Sequence, residues 1–196
     1  MVLNKINLDN KIILLEGTRK VPESEQSKLI KFTEYLAVTF PEAIFRSGNA
    51  SGSDELFAKG VESIDAFRMQ QVLPYPNANK KRLHKHSPVI SLADLTFEEL
   101  QELAELGIKA TPSYISLFDL YLKDLKKTRT TIKAMYLLRD GLKITGCPRL
   151  GFASADVGFF FTDLSNPSGG GTGHTIRMCE IKGIPVFTQE KWLKES

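Results

Sequence analysis

Cysteine is scarce in this chain of 196 residues: Cys147 and Cys179 are the only two. Two thiols cannot staple a disulfide scaffold and their spacing suits no metal site. Both are therefore expected free, in a reducing cytoplasm. Histidine and tryptophan are nearly as rare, at three and one. His84 and His86 stand two apart with no cysteine or paired acid beside them, so no metal ligation is expected there. No apolar run approaches the ~18 residues of a membrane span, and the opening MVLNKINLDNK lacks the apolar stretch of a secretory signal. No membrane association is expected. Nor does charge of one sign accumulate: 26 Lys plus Arg against 23 Asp plus Glu leave +3. Such a weak field permits nucleic-acid or phosphate binding without arguing for either. A composition 42% hydrophobic and 25% charged is that of an ordinary globular domain, which excludes disorder, collagen and coiled coil.

What is present alternates short apolar runs with amphipathic stretches, the pattern of a layered α/β sheet. Lys11 to Glu16, Ala43 to Arg46, Gln71 to Leu73, Asp156 to Phe161 and Ile184 to Phe187 read as strands. The 156–161 run is apolar on both faces, as a central parallel strand must be. Between them, Leu29, Phe32, Leu36 and Phe40 mark one helical stripe ended by Pro41, and Asp54 opens a second helix. Thr96 to Glu99 is a capping box. The spacing of Ile115, Phe118, Leu122, Leu125, Ile132 and Tyr136 predicts one long helix from Pro112 to Arg139, with Arg129 in the apolar register. The reading is one α/β three-layer domain over 1–196 with a mostly parallel sheet, in which 77–112 forms an insertion or lid. Residues 77–88 (NANKKRLHKHSP) are expected as a basic surface loop.

Three small-residue loops follow three of the strands: Gly17-Thr18-Arg19, Ser47 to Asp54, and Ser168 to Thr175. In an open parallel sheet the carboxyl ends of the strands share one edge, so three such loops build one crevice. Glycine lets backbone N–H groups approach an anion, and a helix N-terminus adds partial positive charge. No Gly-Lys-Ser/Thr follows, which excludes a Walker loop, and a single glycine after the first strand excludes GxGxxG. The candidate ligand-binding residues are Gly17, Thr18, Arg19, Ser47, Gly48, Ala50, Gly52, Ser53, Asp54, Arg129, Gly169, Gly170, Gly171, Thr172, His174 and Thr175. Phosphates are expected on the 47–54 and 169–175 backbones. Arg19 and Arg129 would neutralise charge, with Arg46 nearby, and Ser47, Ser53 and Thr172 would give hydroxyl contacts. A salt bridge to a buried aspartate is an equal reading of Arg129. Asp54 is a helix cap first and a ribose acceptor second.

These motifs resemble a known set. Gly17-Thr18-Arg19, Ser47-Gly48-x-Ala50-x-Gly52-x-Asp54 and Gly170-Gly171-Thr172-Gly173-His174-Thr175 look like the Rossmann-like superfamily of DprA (Smf) and the Lonely guy enzymes, called SLOG. The serine-glycine element points to its DprA side. The resemblance spans residues 11 to about 188 and implies glycine loops that hold a nucleotide or nucleotide-derived ligand, with a homodimer as the usual assembly. Lonely guy phosphoribohydrolases carry Pro-Gly-Gly-x-Gly-Thr-x-x-Glu. Pro167, Gly169, Gly171 and Thr172 match it, while Ser168 stands at its second position, the first glycine, and Thr175 at the catalytic glutamate. The expectation is thus a nucleotide-binding sensor or sequestering protein with no required cofactor and no assigned catalytic residue. Single-stranded DNA binding of the DprA kind and nucleotide N-glycosidase activity stay open as alternatives.

Overall fold

Strand β1 (Ile12–Gly17) buries Ile13 to Glu16 without a break, so both its faces must be covered. A computed structural model describes residues 6–193, and in it β1 lies near the middle of a six-stranded sheet. The other strands are β2 (Ile44–Ser47), β3 (Met69–Leu73), β4 (Val89–Ser91), β5 (Val157–Phe161) and β6 (Val186–Thr188). Their order is β4-β3-β2-β1-β5-β6 and every pairing is parallel, for example Leu14 opposite Gly158 and Phe45 opposite Met69. The chain builds outward from β1 to β4, crosses over, and builds outward again from β5. Strand order therefore reverses between β1 and β5, where the carboxyl ends of an open sheet part into a crevice.

Helices cover both faces. On one lie α1 (Glu23–Thr39) and α2 (Ser53–Asp65), packed against each other over Phe32, Phe57, Phe159 and Trp192. Here the Phe32 and Trp192 rings stack at 4.3 Å. Trp192 belongs to the short terminal α7 (Gln189–Trp192). The opposite face carries α3 (Phe97–Ala110), α5 (Ile132–Thr145) and α6 (Gly170–Ile181), with α4 (Ile115–Asp124) outside them. Leu14, Phe160, Leu106, Ile144 and Met178 fill that side. The Thr96 capping box forms, its hydroxyl accepting from Glu99 N while the Glu99 carboxylate accepts from Thr96 N.

Three expectations fail, each for a local reason. The predicted helix over 112–139 is two helices. Leu125 ends α4 in the left-handed region (φ 51°), and α5 begins only at Ile132. Between them runs Lys126-Lys127-Thr128-Arg129-Thr130-Thr131, whose threonine hydroxyls bond locally, Thr131 to Lys126 O at 2.6 Å and Thr128 to Thr131 at 2.9 Å. Such bonds compete with the helical ladder. Residues 77–112, expected as an insertion or lid, supply β4, bonded to β3, and α3, packed on α5 and α6. Three residues made β4 too short to read. Finally, α6 starts at Gly170 rather than after Gly173, so glycines expected in a loop form its first turn.

Candidate functional site

The crevice floor is a chain of buried charges. Glu16 ends the apolar run of β1, and the Lys143 ammonium donates to its Oε2. Lys143 Nζ also lies 2.9 Å from Asp140 Oδ1, and Arg139 Nε lies 3.1 Å from the same oxygen. Arg139 NH1 donates to Gly48 O at 2.6 Å and stands 3.9 Å from Asp54 Oδ2. That oxygen accepts from the amides of Gly48 (3.2 Å) and Ala50 (3.4 Å). Thr175 closes the chain, its hydroxyl donating to Glu16 Oε1 at 3.0 Å. All five charged groups are at least 95% buried.

Spacing on α5 produces this arrangement: Arg139, Asp140 and Lys143 fall within one turn and meet the end of β1. Burial pushes the Glu16 carboxyl up from its ordinary 4.5 to about 7; Lys143 opposes that shift, and Asp140 and Asp54 add to it. Burial alone would lower Lys143 and Arg139, but the neighbouring carboxylates outweigh it and both are raised. Three carboxylates thus meet two cations on the floor, so the floor offers no excess positive charge to a phosphate.

Above it opens a cleft of about 630 Å³. Its walls are Gly17, Thr18 and Arg19 after β1, Asp163, Asn166 and Pro167 after β5, the first turn of α6, and Tyr136, Lys133 and Ile132 on α5. The rim carries cations and rings together. The Tyr136 ring has the Arg19 guanidinium 5.6 Å and the Arg139 guanidinium 5.5 Å from its centroid. Tyr75 meets Tyr136 edge-on at 6.5 Å and has Lys127 Nζ 3.4 Å over its own ring. Lys133 Nζ sits 4.9 Å over Tyr114. The N-cap of α6 is Gly169, which makes no side-chain cap, and no acidic residue lies in the first turn. Its leading N–H groups have no partner within the helix.

Of the residues expected at the site, Gly17, Thr18, Arg19, Ala50, Asp54, Gly169, Gly170, Gly171 and Thr172 line this cleft. The others do not. Gly48 lies under Arg139, where a Cβ would come within 1.4 Å of NH1. Gly52 turns with φ 85° against Arg19, and Ser53 donates to Thr18 O at 2.8 Å, bracing one loop on the other. Ser47 is buried with its hydroxyl unpartnered. Phosphate on the 47–54 backbone is also corrected, because Asp54 takes the Gly48 and Ala50 amides. Arg46 is buried beneath the sheet, bonded to Gln70 and Lys143 O. Arg129 is exposed in the α4–α5 connection, in neither an apolar stripe nor the cleft.

His174 is buried behind the cleft wall rather than in it. Thr111 Oγ1 accepts from Arg177 NH2 at 2.8 Å and shares a second hydrogen bond, also 2.8 Å, with His174 Nδ1. Burial pushes that imidazole down to about 4. Thr175 bonds Glu16 and Gly171 O. Both oxygens of Glu16 are thus engaged, by Thr175 and by Lys143. Sequence reasoning missed Glu16, Tyr136, Arg139, Asp140 and Lys143. A detectable signal existed: three charges within five residues of a helix that carries only Lys133 besides, and a carboxylate closing a buried strand.

No family model matches the chain, and no curated protein does. Among the described residues no helix is long and apolar enough to cross a membrane, and no group of three His, Cys, Asp or Glu could hold a metal. The architecture defines a doubly wound, all-parallel α/β protein of the Rossmann-like class. A solved structure shares it: DNA processing protein A from Helicobacter pylori, studied for its unique single-stranded DNA binding mode. The TM-score is 0.53 at 16% identity, over 92% of this chain and 65% of that one. At that identity the likeness shows a DprA-like fold, and this chain spans about two thirds of the neighbour's length.

Proposed function

We propose that the cleft binds single-stranded DNA. The carrying observation is Tyr136, a ring at the crevice mouth with the Arg19 and Arg139 guanidiniums beside it and a second ring, Tyr75, at its edge. Binding of single strands combines stacking on aromatic faces with cations that follow the backbone. Arg19 is exposed and can turn to a phosphate as a base takes its place on Tyr136. Phosphates then sit at the rim, on Arg19, Lys133 and the free amides of α6, above a floor whose charge is already balanced. The DNA-binding neighbour of the same fold supports this reading.

A free nucleotide is the second reading, favoured by one feature of the floor. Asp54 and Asp140 each anchor one oxygen internally, on loop amides or on Arg139 and Lys143, and the cleft they line has a volume suited to a small ligand. Carboxylates so placed accept sugar hydroxyls. Fluorescence anisotropy with a labelled oligo-dT, titrated with salt, tests the first reading. Tyr136→Ala should weaken binding roughly 5- to 150-fold, the loss of one stacked base. Unchanged affinity in that variant overturns it. Displacement of the oligonucleotide by micromolar nucleoside monophosphate transfers the cleft to the second reading.

A further inference from the structure

A second surface leads away from the cleft. The segment between β3 and β4 descends from the carboxyl to the amino edge of the sheet beside α2, and it is fastened at both ends. Above, Asn49 Nδ2 donates to Ala78 O (3.2 Å) and Asn79 O (3.3 Å), and Asn79 Nδ2 returns a bond to Asn49 O at 3.0 Å. Arg82 pairs with Glu55 on the first turn of α2 at 3.4 Å. Below, the Ser87 hydroxyl donates to Glu62 at 3.1 Å and to Ala66 O at 3.3 Å. From Glu55 to the end of α2 at Asp65 is about 15 Å at 1.5 Å per helical residue, and Phe67 follows directly.

Along this strip Lys80, Lys81, Lys85 and His86 are exposed. At its lower end the Phe67 ring is 65% exposed and stacks on His86 at 4.9 Å with the planes 27° apart. His84 follows at 5.5 Å from His86. A lysine run alone is a solvated face. A phenylalanine held in water and stacked on one imidazole, with a second tilted against that imidazole and in line with the lysine run, is a base-stacking platform beside a phosphate track. Glu55 and Glu62 are the acids that face the strip from α2, and both are engaged, by Arg82 and by Ser87.

We propose that residues 80–86 with Phe67 form a second contact surface for single-stranded nucleic acid, continuous with the cleft through the Asn49–Asn79 clasp. This rests on the cleft being a single-strand site. A strand leaving the cleft would place its phosphates on Lys80, Lys81 and Lys85 and its last bases on Phe67 and His86.

The test is anisotropy with two oligo-dT lengths, about 6 and about 25 nucleotides, on wild type, Tyr136→Ala, Phe67→Ser and the triple variant Lys80→Gln, Lys81→Gln, Lys85→Gln. The substituted strip residues are exposed, and thermal melts confirm that each variant is folded. Wild type should prefer the longer strand. In the strip variants the longer strand should weaken about tenfold, and in the triple variant its salt slope should fall by about 2, or ~0.7 per lost phosphate contact. The short strand should keep wild-type affinity. Wild-type behaviour of both strip variants overturns the strip while leaving the cleft reading intact, and so does an equal loss at both lengths. Failure of the cleft reading looks different: Tyr136→Ala leaves the short strand unaffected, or wild type binds neither length.

Discussion

In the 47–54 loop the amides of Gly48 and Ala50 donate to Asp54, Gly48 O accepts from Arg139, and Ser53 is tied to Thr18. In the 168–173 loop Gly170 and Gly171 open α6 with no side-chain cap, and they line the cleft. Both loops are small-residue turns between a strand and a helix. The first spends its polar groups inside the protein and holds the floor together; the second leaves them turned outward. A Cβ at Gly48 would strike an internal arginine, whereas one at Gly170 or Gly171 would stand in open space or ordinary contact.

The largest test of this contrast lies beneath both loops. Lys143→Met leaves Glu16 and Asp140 buried without their shared cation, and breaking such a pair costs about 3–5 kcal/mol. Urea unfolding should show that loss. A loss below about 1 kcal/mol, the worth of an exposed pair such as Lys11–Asp156, would mean that the floor is wet.

Next come the glycines themselves. Gly48→Ala drives a methyl into Arg139 and should destabilise by roughly 1–3 kcal/mol. Gly171→Ala meets only Asp140 Oδ2, at an ordinary 3.6 Å, and adds helix propensity. It should leave stability unchanged or raise it by up to ~1 kcal/mol, while lowering oligonucleotide affinity. Equal melting shifts in the two variants would erase the distinction between the loops.

The last test is a pH dependence. His174 is held neutral, its pKa lowered from the ordinary 6.5 to about 4, so it contributes stability above 6.5 that is lost as pH falls through 4. Glu16 has the opposite sign, its raised pKa costing stability as pH climbs from 4.5 to about 7. The stability difference between wild type and His174→Gln should therefore shrink as pH drops from 6.5 to 4, read from urea midpoints. A difference constant with pH would place His174 in water.

Much of the fold was legible in local pattern. The buried apolar runs at 13–15 and 157–161 read as strands because uninterrupted apolar residues suit only a sheet covered on both faces, and the stripe of Leu29, Phe32 and Leu36 has one helical face. Where the pattern was ambiguous it misled. The apolar spacing from Ile115 to Tyr136 continues through the break at Leu125, and only local threonine bonding shows that two helices share it. Arg129 was drawn into the site by that false register. Arg139, ten residues on, lines the cleft together with Arg19.

By itself the sequence determined a parallel α/β sheet and the edge at which three glycine-bearing loops gather, because periodicity and turn residues act over a few neighbours. Only the tertiary structure decided which amides stay open, where Lys143 meets Glu16, and that Phe67 joins the basic strip beside α2. Those contacts join residues 19 to 127 positions apart. Their chemistry depends on burial, which no local window of residues encodes.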